Sequence, residues 1–395
     1  MRTFIGLIAI GASAVSCLNP AGAAVFYPLS NEFGYDLPSG LSPDGSIVVT
    51  SRHVWTPSGG FVDISPADSE LYSRDISNTG VIAGLWCGPN TGSCYEAFRA
   101  TVGAPIQGLG AFDNWASDAF AITTDGSVLV GNSSSPTGTQ AFRWTSATGL
   151  VGLGNLAPNV NSHDAAYGVS ADGAVVVGQS GDDMVLEAFR WTAATGMVGL
   201  GDFAGGSVNS SAQAVSSDGQ VIVGFGTDDA GLQAFRWTGS TGLTSLGNLP
   251  GGSIRSMAYG VTASGDVIVG EAHSDPSTNH AFIWTAAGGM RKLQDVLVAE
   301  YGLATALAGW TLTVAADISD DGNVIVGYGY DPTGKSLGFV VIIPEPRAIA
   351  LGVIGVLALA CRNVRSNHRR GPIWRSQPRP PRQKILVVRE IVGPD

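Results

Sequence analysis

Short runs of aliphatic and β-branched residues recur along most of the chain, and glycine-rich polar segments separate them. One run, Ala-Val-Val-Val-Gly at 174–178, directly follows Asp172 and Gly173. An Asp-Gly pair favours a tight turn, because glycine accepts a positive φ and the aspartate bonds to nearby backbone. Runs of this composition between turn residues predict buried strands. The pattern therefore predicts an all-β fold.

A pentapeptide of the form Ala-Phe-Arg-Trp-Thr marks an internal repeat. It stands at 141–145, 188–192 and 234–238, and variants at 97–101 and 281–285 keep steps of 44 to 47 residues. A second marker, Ser-x-Asp-Gly with its looser forms, occurs at 42–45, 77–80, 123–126, 170–173, 216–219, 262–265 and 319–322. Each period holds four predicted strands, and about 46 residues with four strands is typical of a propeller blade.

The last repeat lacks a fourth strand after its third strand at 338–342. The segment at 25–30 matches the fourth-strand pattern at 150–154, so we expect it to complete the last blade. The prediction is a seven-bladed β-propeller over 25–343, closed by an N-terminal strand. A right-handed β-solenoid is the alternative, although solenoid coils are usually shorter and need no borrowed strand. The insert at 294–310 is predicted to be a short helix that caps the core.

Charge is distributed unevenly along the chain. Residues 25–343 carry 29 acidic and 10 basic side chains, whereas 344–395 carry 3 acidic and 10 basic ones. The acidic body argues against nucleic acid as a partner, because phosphate contacts need lysine and arginine. A basic segment that follows an apolar run indicates a membrane anchor with its cytoplasmic flank.

The first 24 residues have the layout of a secretory signal peptide. Arg2 precedes an apolar stretch at 4–15, and small residues at 21–24 offer a cleavage site. The residues before Cys17 form a poor lipobox, and lipidation of Cys17 is the alternative. The signal predicts an exported protein.

Three features follow one another near the C-terminus. Pro344, Glu345 and Pro346 come first, an apolar segment at 348–361 follows, and a basic cluster begins at Arg362 and Arg365. The apolar segment is predicted to be a transmembrane helix, although it is shorter than the roughly 20 residues that a spanning helix prefers. The tail at 371–395 is rich in proline and arginine and is predicted to be disordered.

This order of features at 344–370 resembles the PEP-CTERM sorting signal of Gram-negative and related bacteria. The resemblance implies that Pro344, Glu345 and Pro346, together with the basic residues Arg362 and Arg365, are recognised by an exosortase-type membrane enzyme. It also implies that the protein accompanies exopolysaccharide production. It also implies a place at the cell surface, on the outer face of the membrane, or secretion after C-terminal processing. The chain departs from the family by running on to residue 395, and a plain membrane anchor is the alternative.

The repeats resemble the HAF repeat family of bacterial extracellular proteins, which is named for a His-Ala-Phe triplet. His280, Ala281 and Phe282 match the triplet literally, and the resemblance spans roughly residues 40–345. It implies a secreted or surface location and no established chemistry.

Cysteine use fits an oxidising compartment. Within the body only Cys87 and Cys94 remain, in a Gly- and Pro-containing turn, and we predict a disulfide that closes a hairpin tip. Free thiols and a metal site are the alternatives, and the metal site lacks two further ligands at suitable spacing.

The aspartates that recur in the Ser-x-Asp-Gly markers are predicted to shape turns and not to bind a metal. One aspartate per blade would spread calcium ligands around a ring, whereas calcium needs six to eight converging oxygens. The weak calcium candidates are therefore the doubled acids in loops, which are Asp182, Asp183, Asp228, Asp229, Asp320 and Asp321.

The arginine of the pentapeptide needs an acceptor between blades, and the Asp-Gly turn of its own blade is one candidate. A polysaccharide or phosphate site is the other reading of these arginines.

No pattern of a catalytic nucleophile, a phosphate-binding loop or a cofactor site occurs in the body. The sequence implies no cofactor. The expected function is a non-enzymatic matrix or binding module whose partners are an exopolysaccharide or a surface protein. The alternative is a polysaccharide-active enzyme, a glycosidase or lyase, which a cluster of acids and aromatic residues at one mouth of the central channel would favour.

Overall fold

The computed structural model describes residues 23–30, 37–65, 70–87, 95–113, 115–156, 162–251, 254–275 and 278–344. The segments at 1–22 and 345–395, which include the apolar segment at 348–361 and the tail at 371–395, lie outside the described residues. In the described ranges, no helix has the length and apolar character that a membrane crossing requires.

The chain enters as strand β1 (Val25–Leu29) and then builds six sheets, each from consecutive antiparallel strands. Blade 1 contains β2 (Pro38–Leu41), β3 (Val48–Thr50), β4 (His53–Thr56) and β5 (Gly60–Asp63). Blade 2 contains β6 (Glu70–Ile76), β7 (Val81–Cys87), β8 (Glu96–Thr101) and β9 (Gln107–Gly108). Blade 3 contains β10 (Ser117–Ile122), β11 (Val128–Ser135), β12 (Gly138–Thr145) and β13 (Gly149–Gly152), and the short β14 (Ser162–His163) pairs in parallel with β12.

The second half repeats this plan. Blade 4 contains β15 (Ala165–Val169), β16 (Val176–Gly181), β17 (Leu186–Thr192) and β18 (Gly196–Gly201). Blade 5 contains β19 (Ser211–Val215), β20 (Val221–Asp228), β21 (Gly231–Thr238) and β22 (Gly242–Ser245). Blade 6 contains β23 (Ser256–Val261), β24 (Val267–Asp275), β25 (Thr278–Thr285) and β26 (Gly289–Lys292).

The last blade joins the two ends of the repeat region. It contains β27 (Thr311–Ile318), β28 (Val324–Tyr330) and β29 (Ser336–Ile342), and β1 is its fourth strand. In the antiparallel pairing of β1 with β29, Val25 lies opposite Ile342 and Leu29 lies opposite Gly338. The prediction of a seven-bladed propeller closed by an N-terminal strand is therefore confirmed.

The core lies between blades. The phenylalanine of each pentapeptide, or its equivalent, is fully buried at Phe98, Phe142, Phe189, Phe235, Phe282 and Phe339. Phe98 of blade 2 packs with Ile47 and Val49 of blade 1, so the ring lies between two sheets. Burial of such a ring stabilises the packing of neighbouring blades by several kcal/mol, since Phe→Ala in cores typically costs about 3–5 kcal/mol.

In blades 2 to 7, the glycine that follows the apolar run of the second strand has a packing role. A β-carbon added at Gly178 would lie 1.9 Å from the carbonyl oxygen of Ala165 on the innermost strand. The register of β15 against β16 shifts next to this point, between Ala166 and Gly168. The bulged innermost strand therefore approaches too closely for any side chain at Gly178.

The insert before the last blade forms helix α1 (Leu293–Tyr301), which ends at Gly302 in the left-handed conformation. Leu293, Leu297 and Leu307 are buried in one cluster with Phe339. The predicted helix is thus confirmed but is shorter than 294–310, because the left-handed Gly302 ends it and turns occupy most of the remainder.

The first strand of each blade lines the centre of the ring. These innermost strands are β2, β6, β10, β15, β19, β23 and β27, and each contacts the next, including β27 with β2. The contacts close a central channel.

Candidate functional site

A cavity of about 210 Å³ occupies the central channel and opens to solvent. It receives residues from all seven innermost strands and from five of the Ser-x-Asp-Gly turns. Two positions of the innermost strands decide its chemistry. At the first of these two consecutive positions, blades 1 to 7 have, in order, Ser39, Arg74, Phe120, Tyr167, Gln213, Tyr259 and Ala316. The following position holds Gly40, Asp75, Ala121, Gly168, Ala214, Gly260 and Asp317.

At the second position five blades have glycine or alanine, whereas blades 2 and 7 have the aspartates Asp75 and Asp317. Asp75 Oδ1 accepts a hydrogen bond from its neighbour Ile76 N at 2.7 Å, and Asp75 Oδ2 accepts one from Ile122 N of blade 3 at 3.0 Å. Asp317 Oδ1 accepts from Ile318 N at 2.8 Å. The Leu41 N–H of blade 1 also bonds to the Asp317 carboxyl. Each carboxyl therefore links the innermost strands of two consecutive blades.

The environment of these two carboxyls disfavours their charged form. Burial raises the pKa of Asp75 to about 7, although two backbone N–H donors act in the opposite direction. Burial, and then the repulsion of Asp75, raise the pKa of Asp317 to about 8. Both side chains are partly accessible to water inside the channel, but the protein around the channel removes much of their hydration. This loss of hydration is the largest contribution to the raised pKa of each carboxyl.

An aromatic wall occupies the blades opposite to Asp317. The rings of Phe120 and Tyr167 lie 5.3 Å apart between centroids, and the Arg74 guanidinium lies 5.7 Å from the centre of Phe120. Arg74 also forms a charged pair with Asp118, with Nη2 2.8 Å from Oδ2. The positive charge of Arg74 is therefore already matched by a carboxylate.

Tyr259 extends the polar lining toward blade 6. Its hydroxyl donates to Glu271 Oε1 at 3.2 Å, and Asn279 Nδ2 donates to the other oxygen at 3.0 Å. Glu271 is buried, which raises its pKa, and the neighbouring carboxylate adds to burial in raising the pKa of Tyr259.

The turns at the mouth of the cavity hydrogen-bond to one another. Asp320 N donates to Pro43 O at 2.8 Å, Ala263 N donates to Asp320 O at 3.0 Å, and Ala171 N donates to Ser217 O at 3.1 Å. Ser217 Oγ of blade 5 also donates to Asp320 Oδ1 of blade 7 at 2.6 Å. Hydrogen bonds between turns of different blades thus hold the rim of this mouth together.

The marker aspartates act as turn residues, as predicted. In the fourth blade, Ser170 Oγ donates to Asp172 Oδ1 at 2.7 Å and accepts from Val175 N at 3.0 Å. The Ser170 hydroxyl and then the Ala174 N–H hold the pKa of Asp172 below its usual value. Gly173 completes the turn with a φ of +70°. Equivalent bonds occur at Asp44, Asp125, Asp218 and Asp321.

The adjacent aspartates that were weak calcium candidates bond to different partners in their loops. Asp182 accepts from Met184 N, and Asp183 pairs with His163 Nε2 at 2.7 Å. Asp229 accepts from Gly206 N, and Asp228 accepts from Ala230 N.

Asp321 bonds within its turn, and Asp320 faces the rim of turns at the cavity mouth. Within the described ranges no three His, Cys, Asp or Glu side chains are arranged to hold a metal ion.

The pentapeptide arginines reach a different blade from the one expected. Arg143 of blade 3 donates from Nε to the carbonyl oxygen of Gly173 in blade 4, at 3.2 Å. Arg99 and Arg236 make longer contacts of the same kind with Gly126 and Gly265. The idea that each arginine pairs with its own blade's turn was therefore wrong, because the third strand lies beside the turn of the following blade.

Several sequence predictions fall outside the described residues. Cys94 lies in the segment 88–94, so its pairing with Cys87 at the end of β7 stays a prediction. Pro344 is the last described residue, and Glu345, Pro346, Arg362 and Arg365 follow it.

Asp75 and Asp317 were not among the sequence candidates. The signal was present in the repeat itself, because both stand where the other five blades have glycine or alanine. It becomes visible only when the innermost strands are aligned with one another.

The fold and its channel define the chain as a seven-bladed β-propeller protein. No protein-family model matches the sequence, and no curated protein matches it either. Among solved structures, TolB from Acinetobacter baumannii is similar at 15% identity with a TM-score of 0.46, over 67% of this chain and 64% of that one. This chain thus spans less than two thirds of the length of that TolB.

Two further structures are similar at the level of the fold. The Dos1 propeller shares 12% identity over 81% of each chain, with a TM-score of 0.43. Dipeptidyl peptidase 4 from Porphyromonas gingivalis shares 9% identity over 77% of this chain and 53% of that one, with a TM-score of 0.42. At these values the similarities carry no conclusion about activity.

Proposed function

We propose that this chain is an exported, surface-sorted bacterial repeat protein that acts as a non-enzymatic extracellular binding module associated with exopolysaccharide. The observation that supports binding over catalysis is the use of the cavity carboxyls. Asp75 and Asp317 accept hydrogen bonds from backbone N–H groups of the following blade, and the marker aspartates accept hydrogen bonds within their own turns. Acids with these structural partners stabilise the ring, while the channel keeps a polar and aromatic lining that suits a ligand.

The test of this function measures binding and cleavage together. Purified full-length protein is incubated with a panel of neutral and acidic bacterial exopolysaccharides. Retention on immobilised polymer and release of reducing ends are recorded in the same samples, with protein-free polymer as the control. We expect retention without release. Failure to retain any polymer would contradict the proposal.

A polysaccharide-active enzyme is the second candidate, and one observation favours it. Asp75 and Asp317 line the same cavity with pKa values of about 7 and about 8, and a general acid needs a raised pKa. Release of reducing ends that disappears in Asp317→Asn would establish this alternative and remove the first one.

The sorting signal makes a separate prediction about the exported product. If an exosortase-type enzyme processes the chain near Pro344, Glu345 and Pro346, intact-mass analysis of protein from the cell surface or medium should give a chain that ends near these residues. Replacement of Glu345 by alanine is expected to leave the tail attached, since it alters the recognition motif. Detection of released protein that retains residues 371–395 would overturn the proposed sorting.

A further inference from the structure

We propose that the cavity in the central channel binds one uncharged, hydroxyl-rich ring of the size of a single hexose. The inference rests on the proposed binding function and adds to it the place and the chemical class of the ligand. Three features of the cavity carry it: its size, its two unlike walls and its balance of charge.

Size restricts the ligand to a small ring. The cavity holds about 210 Å³. Pockets for drug-sized molecules usually enclose about 300–1,000 Å³, so this one suits something smaller. Its rim is held by hydrogen bonds between turns of different blades, such as that from Asp320 N to Pro43 O. A polymer therefore has room here for one unit and not for a threaded chain.

The two walls match the two surfaces of a sugar ring. On one side Phe120 and Tyr167 present aromatic rings with centroids 5.3 Å apart. The face of an aromatic ring is apolar and carries partial negative charge, so it packs against the C–H groups on one face of a sugar. On the other side the short side chains of Ser39 and Ala316 leave space beside Asp317. The carboxyl and hydroxyl oxygens of this side can bond with sugar hydroxyl groups.

The charged side chains that line the cavity disfavour ionic ligands. Arg74 lines the cavity, but Asp118 already pairs with it at 2.8 Å. The negative charge that remains on the carboxyls of Asp75, Asp317 and Asp320 would repel an anion. Burial also raises the pKa of Asp75 to about 7 and that of Asp317 to about 8, so at pH 7 these two groups attract a cation less than two carboxylates would. An uncharged ligand is therefore favoured over an acidic or an amino sugar.

The experiment is a calorimetric titration of the full-length protein at pH 7. The probes are glucose, galactose and mannose, with glucuronate and glucosamine as charged analogues and a neutral trisaccharide as the polymer end. We expect at least one neutral hexose to bind at least tenfold more tightly than either charged analogue. Equal affinity for the free hexose and the trisaccharide would indicate a chain-end site. Binding of the free hexose alone would indicate a monosaccharide site.

Two variants locate the site. Ser39→Leu adds volume at a solvent-accessible position of the cavity wall, so the fold should tolerate it, and Ala316→Leu does the same from blade 7. Each should weaken hexose binding at least tenfold, whereas Val198→Ala on the outer strand of blade 4 should not. Thermal unfolding establishes which variants are folded.

Contrary results are distinguishable from failure of the proposed function. Tighter binding of glucuronate or glucosamine, or unchanged hexose affinity in a folded Ser39→Leu variant, would overturn the inference. If polymer is retained but no hexose binds, the inference fails and the binding module stands. If neither polymer nor hexose binds, both fail.

Discussion

Replacing Phe26 and Leu29 by alanine is expected to lower the free energy of unfolding of the propeller by about 5 kcal/mol, because both side chains belong to the strand that closes the ring. Leu29 is 3% exposed and packs with Leu41 and Trp55 of blade 1. Phe26 lies 5.1 Å from Trp310 and 5.9 Å from Phe339 between ring centroids. The substitutions thus weaken the last blade and its contact with the first one together.

Denaturant unfolding followed by circular dichroism checks this expectation. The matched control replaces Val151 and Val198 by alanine. These two residues lie on the corresponding outermost strands of blades 3 and 4, and their side chains are 46% and 48% exposed. Each control substitution should change the free energy of unfolding by no more than about 0.5 kcal/mol. An equal loss in the two double variants would show that closure by β1 has no special role.

The second large effect concerns pH. The free energy of unfolding should fall by several kcal/mol as the pH rises from about 4 to about 8. Asp75 and Asp317 have folded-state pKa values of about 7 and about 8, whereas the ordinary pKa of an aspartate is 3.8. Over this range the folded state therefore binds more protons than the unfolded chain, so raising the pH favours unfolding. A pKa that differs by one between the folded and unfolded states changes the free energy of unfolding by about 1.4 kcal/mol.

Asp317→Asn tests the origin of this slope, because asparagine resembles the protonated carboxyl. We expect the variant to lose about half or more of the pH dependence and to be more stable than the parent at pH 8. The control is Asp172→Asn, since its turn hydrogen bonds lower the pKa and place its contribution at the acidic end of the range. Unfolding curves at pH 5, 7 and 9 suffice. A parent protein that is equally stable at all three values would contradict the assignment.

The repeat allowed the blade plan to be predicted because each marker encodes a local constraint. The Ser170, Asp172 and Gly173 turn needs specific side chains and a positive φ, and the buried Phe189 has a phenylalanine counterpart in each of the other blades except blade 1. Closure could be predicted for the same reason, since the segment at 25–30 has the pattern of an outer strand. The sequence of one repeat does not show which residues of the neighbouring repeat it contacts. Arg143 is an example, because it bonds to Gly173 of the next blade.

The cavity could not be predicted from the same markers because it arises from departures from the repeat. Asp75 and Asp317 replace small residues in two innermost strands, and the sequence does not show that those strands converge on one channel. Their shared surroundings depend on the circular order of the blades, which brings blades 7, 1 and 2 together. Only the assembled ring gives these two carboxyls their raised pKa.

Pairing of β1 with β29 also affects the order in which the molecule is made. Val25 is synthesised near the start of the chain, but its partner Ile342 follows only after all the intervening blades. Until then β1 has an unpaired edge, and the last blade does not exist. Contacts of such long sequence separation form slowly. The ring can therefore close only after the last blade has been made, and until then the apolar strand β1 lacks the partner that buries it.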